Sequence, residues 1–393
     1  MRFSLKGKVL IFSLLLITGI TFVYGQKGAN LSKVKDVIIY EDTAFFSAFP
    51  SVVKTEENDF LVAFRRAPNR HIFGERSNHH VDPNSYLVMK RSLDGVNWES
   101  DPALLYAHAF GGSQDPCMLQ LKDGSILCAS YGWAYVHPDG IEKLKEPFMQ
   151  NKPGFIFLGG YTLRSDDNGM TWQGPYYPPT IPGEDRYDAL GRPLPAYNRG
   201  AMCEGRDGRI FWVVAGHSKD FPKTSTHLLI SDDKGLTWKY SCPVAVDKDI
   251  SFNEASIHET SKGDLVVFLR TSGFDDQSCI ARSTDGGKSF QPWEKMGFQG
   301  HPFHALRLPD DRVLLTYGYR HEPYGIRARI LNKECTDYSS ASEFIIREDG
   351  GTTDLGYPWS VLLNDTQALV VYYFNINDQT RHIAGSILDF SGR

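Results

Sequence analysis

Ser165-Asp166-Asp167-Asn168-Gly169-Met170-Thr171-Trp172 recurs as Ser231-Asp232-Asp233-Lys234-Gly235-Leu236-Thr237-Trp238 and as Ser283-Thr284-Asp285-Gly286-Gly287-Lys288-Ser289-Phe290. A shortened copy runs Ser92-Leu93-Asp94-Gly95-Val96-Asn97-Trp98. The shared pattern is S-x-D-x-G-x-T-W. Each part has a local reason. An Asp side chain bonds backbone N–H groups two residues on and folds a turn around itself. Gly supplies a backbone conformation other residues resist. The closing aromatic packs the turn onto a sheet. One such match is an ordinary polar turn. Four in one chain mark a repeated structural unit.

A second repeat runs alongside. Six segments read strand, polar turn, strand. They begin at Pro50, Pro116, Gly200, Ala255, Phe303 and Trp359, and their turns carry Asn58, Gly124, Gly208, Gly263, Asp311 and Thr366. Short apolar strands bounded by such turns are a hairpin signal. Six of them predict an all-β, six-bladed propeller. The turn pattern follows the third strand in the first four blades, and repeat architectures tolerate its loss in the last two. Val37–Tyr40 is expected to pair beside His382–Leu388, closing the ring and removing an exposed edge.

The turn pattern resembles the Asp box of the sialidase (neuraminidase)-like superfamily, the BNR-repeat β-propellers. The motif is structural and implies a propeller, not a reaction. The strand order separates two faces. Asp boxes and hairpin turns share one. Starts of strand one, ends of strand two and starts of strand three share the other, where loops converge on the axis and a site is expected.

The first residues read as a secretory signal: Arg2, Lys6 and Lys8, then the apolar run Val9 to Val23, with cleavage expected after Gly25. The run is short for a membrane span. This predicts a signal peptide over 1–25, a propeller over 26–393, a periplasmic or secreted location, and no stable membrane span after cleavage. The formal charge of −5 with evenly mixed signs argues against nucleic-acid binding. The aromatic content of 13% with 36 Gly and 21 Pro suits a turn-rich β protein with a sugar-binding face. Six Cys show no metal spacing, and no bond is expected between Cys117 and Cys128 although they flank a turn. No cofactor or metal is expected, and the chain is expected to be a monomer.

The site face offers acids, arginines, tyrosines and histidines. The resemblance implies roles for three. Asn253-Glu254-Ala255-Ser256 followed by Leu269-Arg270 is similar to the family's catalytic Glu strand and one arginine of its carboxylate-binding triad. Gly356-Tyr357-Pro358-Trp359-Ser360 is similar to the strand bearing the nucleophilic Tyr, and Asp82 lies near the family's acid/base Asp. A neutral Tyr avoids the repulsion between an anionic nucleophile and a sugar carboxylate. Arg270, Arg199, Arg320, Asp115, His80 and His304 are substrate-binding candidates. His79, His80, His301 and His304 are considered together as hydrogen-bonding histidines, not as a metal site. One departure stands out: the family opens its first blade with Arg-Ile-Pro, and this chain has Ala48-Phe49-Pro50. The implied activity is an exo-glycosidase releasing a terminal sugar, acidic sugars included. Alternatives are a polysaccharide lyase with Tyr or His as base, and a glycan-binding propeller without turnover.

Overall fold

The computed structural model describes residues 31–392 except 77, 79, 219, 220, 378 and 379; the expected signal peptide and His79 lie outside the described residues. Six antiparallel sheets surround one axis. Phe45–Lys54, Phe60–Pro68, Tyr86–Ser92 and Ala103–Tyr106 form blade 1. The ring closes where Ser32–Tyr40 pairs antiparallel with His382–Asp389, with Val37 opposite Gly385. The chain is almost all β, a six-bladed sialidase-like propeller as its repeats require. No helix among the described residues is long and apolar enough to cross a membrane.

The hairpin turns sit where they must. Asn58 and Asp311 adopt the left-handed conformation (φ 67° and 68°), as do Gly124, Gly208 and Gly263. Third strands in the first four blades end at Ser92, Ser165, Ser231 and Ser283, the first residue of each Asp box. Inside one box, Gly169 N donates to Ser165 Oγ at 2.9 Å, and Thr171 N and Oγ1 donate to Asp167 at 2.8 and 2.5 Å. The Ser231–Trp238 box repeats those contacts at 2.8, 2.8 and 2.5 Å.

The boxes also join blades. A Cβ on Gly169 (φ 81°) would meet Leu61 of blade 1 at 2.7 Å, so the blade 2 box rests directly on its neighbour. Arg91, just before the first box, donates to Asn168 O at 2.6 Å, and Arg164, just before the second, donates to Lys234 O at 2.8 Å. Arg282, before the fourth, reaches Glu334 O of blade 5 at 2.6 Å. The third box follows Ile230, and Arg209 supplies the contact to Gly286 O instead.

Apolar side chains between sheets form the core, including Phe64, Trp212, Phe252 and Tyr373, all fully buried. All six cysteines are free, and Cys128 pairs opposite Met118, not Cys117.

Candidate functional site

The inner strand of a propeller blade should run straight along the axis. In blades 1, 4 and 6 it slips register, between Ala48 and Ser51, Asn253 and Ser256, and Gly356 and Trp359. In blade 2 it breaks between Ser113 and Cys117. At each break one non-glycine residue is left-handed: Phe49 (φ 59°), Asp115 (φ 25°), Glu254 (φ 43°) and Tyr357 (φ 52°). Such conformations cost about 1–3 kcal/mol each and persist where surrounding structure enforces them. A bulge re-aims a side chain that a regular strand would hold against its neighbour. Four equivalent bulges turn a phenyl, two carboxyls and a phenol onto one point.

That point is the face opposite the Asp boxes. The Tyr357 hydroxyl donates to Glu254 Oε1 at 2.8 Å. Arg270 Nη1 donates to the same hydroxyl at 2.9 Å and also bonds Glu254 Oε2. Burial, then the Glu254 charge, push the phenol well above its usual pKa, while Arg270 and Arg320 pull it back. Burial also pushes Glu254 up, but the charge and hydrogen bond of Arg270 outweigh it and hold the carboxyl below its ordinary value. The pair therefore rests as carboxylate and phenol, with a cation touching both oxygens.

A cavity of about 340 Å³ opens beside them. Phe49, His80, Asp115, Tyr131, Trp133, Tyr197, Asn253, Glu254 and Tyr357 are among its walls. Asp115 is 2% exposed. Burial pushes its carboxyl up to about 6; Arg199 opposes this shift and Glu254 adds to it. The Tyr131 hydroxyl donates to Asp115 Oδ2 at 2.8 Å, and Oδ1 has no partner among the described residues. A carboxyl so placed holds its proton into the mildly acidic range and gives it up there.

The other sequence candidates separate. Arg320 lies 5.3 Å from the Tyr357 ring centroid and donates to Leu355 O at 3.1 and 3.0 Å and to the Tyr373 hydroxyl at 3.1 Å. Arg199, 1% exposed, is part of the cavity lining, 4.6 Å from the Tyr357 ring and 5.2 Å from the Trp359 ring. His80 bonds Asp354 at 3.2 Å and packs on Phe49 with centroids 5.3 Å apart. Asp354 is in turn fixed by Arg381 at 2.9 Å and the Tyr373 hydroxyl at 2.9 Å.

Asp82 and His304 lie elsewhere. Asp82 is 1% exposed and is absent from the cavity wall; Arg70 Nε and Nη2 each bond it at 2.7 Å. Its oxygens serve Arg70 and the turn to Asn84. His304 faces a larger axial cavity of about 690 Å³ that opens on the Asp-box side. The expectation of His304 on the site face is corrected by its place in the chain: it lies three positions beyond His301, inside the strand Phe303–Arg307. Its Nδ1 accepts Ser360 N at 3.2 Å, and burial lowers its pKa to about 3. The three described histidines of that set have separate partners: His301 bonds Asp276 at 3.0 Å, His80 bonds Asp354 and His304 accepts from Ser360 N. Among the described residues, one acid–histidine group has metal-like spacing, Glu184, Asp185 and His217. Glu184 is already bound by both Arg186 nitrogens at 2.7 Å, which disfavours a cation there.

Sequence reasoning passed over Asp354 and Asp276, which anchor His80 and His301. It also missed the bulges. Their signal was present: Phe49-Pro50, Asp115-Pro116 and Tyr357-Pro358 each place a Pro inside an inner strand, where Pro marks a bulge or an edge.

Residues 148–370 match the BNR repeat-like domain. The chain belongs to the BNR repeat-like family. Among solved structures, this BNR propeller is similar to a protein of unknown function from Dyadobacter fermentans, with 64% identity, 92% of this chain and 99% of that one covered, and a TM-score of 0.90. It is also similar to the NanB sialidase of Streptococcus pneumoniae (14% identity, 90% and 70% covered, TM-score 0.60). A third likeness is the Trypanosoma rangeli sialidase solved with the inhibitor DANA (14% identity, TM-score 0.60); it covers 93% of this chain, which spans 60% of that protein. At such identities the two sialidases share the fold alone. No curated protein matches the chain.

Proposed function

We propose that this BNR propeller is an exo-glycosidase with a tyrosine nucleophile, releasing a terminal sugar from a glycan. The observation that carries this reading is the contact of Tyr357 with both Glu254 and Arg270 at the head of the axis. Glu254 takes the phenol proton as the oxygen attacks the anomeric carbon. Arg270 stabilises the developing phenolate. Asp115, rather than the Arg70-bound Asp82, protonates the departing glycosidic oxygen. A glycosyl–tyrosine forms and the aglycone leaves with the proton of Asp115. Asp115, now a carboxylate, deprotonates the water that attacks the anomeric carbon, Glu254 returns its proton to the departing Tyr357 oxygen, and configuration is retained. Arg270 and Arg320 beside the tyrosine support an acidic sugar. Ala48, where the family resemblance expects arginine, supports a weaker grip on a carboxylate than a three-arginine site would have.

We also propose export to the periplasm or medium, on the strength of the basic start and the apolar run from Val9 to Val23. N-terminal sequencing of the protein recovered outside the cytoplasm checks this; a start near Gln26 supports it and an intact Met1 refutes it.

Incubation with sialylated, uronate-bearing and rhamnosylated glycans, followed by product analysis, tests the activity. A new reducing end without unsaturation, lost in Tyr357→Phe, is the expected result. An unsaturated uronate product identifies a lyase instead. Binding without product identifies a lectin-like propeller.

A further inference from the structure

Arg199 enters the axis from blade 3 and is the cation beneath the four bulges. It is buried to 1% exposure, yet forms no ion pair among the described residues. Nη2 donates to Pro50 O at 2.9 Å and to Tyr357 O at 3.5 Å, the carbonyls beside two of the left-handed residues. Nε and Nη1 have no partner among the described residues. A buried charge held by two carbonyls and two aromatic rings is an expensive way to fill space, because desolvation is repaid only in part. An apolar side chain would fill the same volume. The charge itself must serve the groups around it.

Those groups are the proposed nucleophile and acid. The guanidinium sits 4.6 Å from the Tyr357 ring centroid and is the principal charge opposing the burial of Asp115. We propose that Arg199 is a positioning residue: it clamps the blade 1 and blade 6 bulges from below and holds one fixed cation beside both the Tyr357 ring and the Asp115 carboxyl. The proposal rests on the roles given above to Tyr357 and Asp115. The charged and titratable groups that also face Asp115 are Arg65 of blade 1, Cys117 and Tyr131 of its own blade, Glu254 of blade 4 and Tyr357 of blade 6. They remain in place when only Arg199 changes.

The test needs no substrate. Asp115 has a folded-state pKa above its unfolded value, so its contribution to stability is full below about pH 4. That contribution is lost as pH rises through the folded value, about 6. Without the Arg199 charge the loss should extend upward by about 1 pH unit or more. Thermal unfolding between pH 4.5 and 8 is compared for the parent, Arg199→Gln and Arg199→Lys, each with and without Asp115→Asn. We expect Arg199→Gln to lose extra Tm above pH 6, Arg199→Lys to follow the parent profile, and Asp115→Asn to erase the difference. Equal profiles for Gln, Lys and parent overturn the proposal, as does an excess loss that survives Asp115→Asn. If Arg199→Gln alone does not fold, the Arg199→Gln/Asp115→Asn pair must fold; its failure also overturns the proposal. An active Tyr357→Phe would remove the nucleophile reading while leaving these unfolding results standing.

Discussion

The two ends of this propeller axis are built on opposite principles. At the Asp-box end, the box carboxylates are answered locally. Asp167 and Asp233 each collect hydrogen bonds from a Ser, a Thr hydroxyl and a Thr N–H within six residues of chain. Left-handed positions there lie in turns, and fall to glycine or to turn residues such as Asn58, Asn168, Lys234 and Asp311. At the other end, Phe49, Asp115, Glu254 and Tyr357 take left-handed conformations without being glycine. Carboxyls are buried, a phenol is pushed up, and Arg199 carries unanswered donors. The larger cavity lies at the relaxed end and the smaller at the strained end. Strain and conflicted charge therefore locate chemistry here better than volume does. One end keeps the blades together; the other spends stability on a constellation no single blade could hold.

The contrast breaks most sharply at Tyr357. Tyr357→Phe removes one oxygen and keeps the ring against Phe49 and Tyr373. Turnover should fall by about 10³-fold or more, the scale of losing a nucleophile, with an unfolding temperature within a few degrees of the parent. Glu254→Gln should cost a similar factor. Substantial turnover in both variants would show that the strained end is not a catalytic centre.

Asp115→Asn tests whether the strained end opposes folding. With the folded pKa raised from the ordinary 3.8 to about 6, the ionised form is disfavoured by the fold at neutral pH. Two pKa units correspond to at most about 3 kcal/mol. The substitution should therefore stabilise the protein at pH 7.5 and change little at pH 4, while turnover falls by about 10²-fold. A destabilised Asp115→Asn at pH 7.5 would mean that the carboxylate is well satisfied there.

His304→Ala sharpens the division of the axis. The side chain lies on the far side of Arg199 and Trp359 from the site cavity, stacked on Trp359 at 4.6 Å. Removing it strands Ser360 N and opens space, costing about 1–3 kcal/mol. KM for any substrate found should stay unchanged; a several-fold rise would place His304 back in the site.

Legibility followed the same division. The Asp boxes, hairpin turns and strand order are local patterns, so Ser165–Trp172 and its copies sufficed for the fold and for telling the faces apart. That Tyr357, Glu254 and Arg270 share one face was also readable, because each sits at a fixed place in the repeat. What stayed hidden was long-range. Nothing in the sequence near Asp82 shows that Arg70 reaches across a loop to occupy it. Asp354 precedes a strand by two residues and gains its importance only when His80 and Arg381 arrive from elsewhere. His304 was misplaced because a start-of-strand position was read three residues too deep. The arginine before three of the boxes, at Arg91, Arg164 and Arg282, was visible but silent until the neighbouring blade supplied its carbonyl.

The smallest effect belongs to the relaxed end. Asp233→Ala removes the acceptor for Thr237 N, Thr237 Oγ1 and Ser231 Oγ. The carboxylate is partly exposed, so water replaces much of what is lost, and a cost of about 1 kcal/mol is expected. That is a fall of about 1–2 °C for a chain of this size. The pH dependence should run opposite to that of Asp115. Burial is the largest single influence on Asp233 and raises its pKa, but the Thr237 and Ser231 hydrogen bonds together outweigh it and the folded value is lowered. Its contribution is therefore present above the unfolded pKa, about 3.9, and is lost as pH falls below it. The parent and Asp233→Ala should differ at pH 7 and converge below pH 3, with turnover unchanged. If the variant lost activity in proportion to a Tyr357 substitution, the two ends would be coupled through the blades rather than independent.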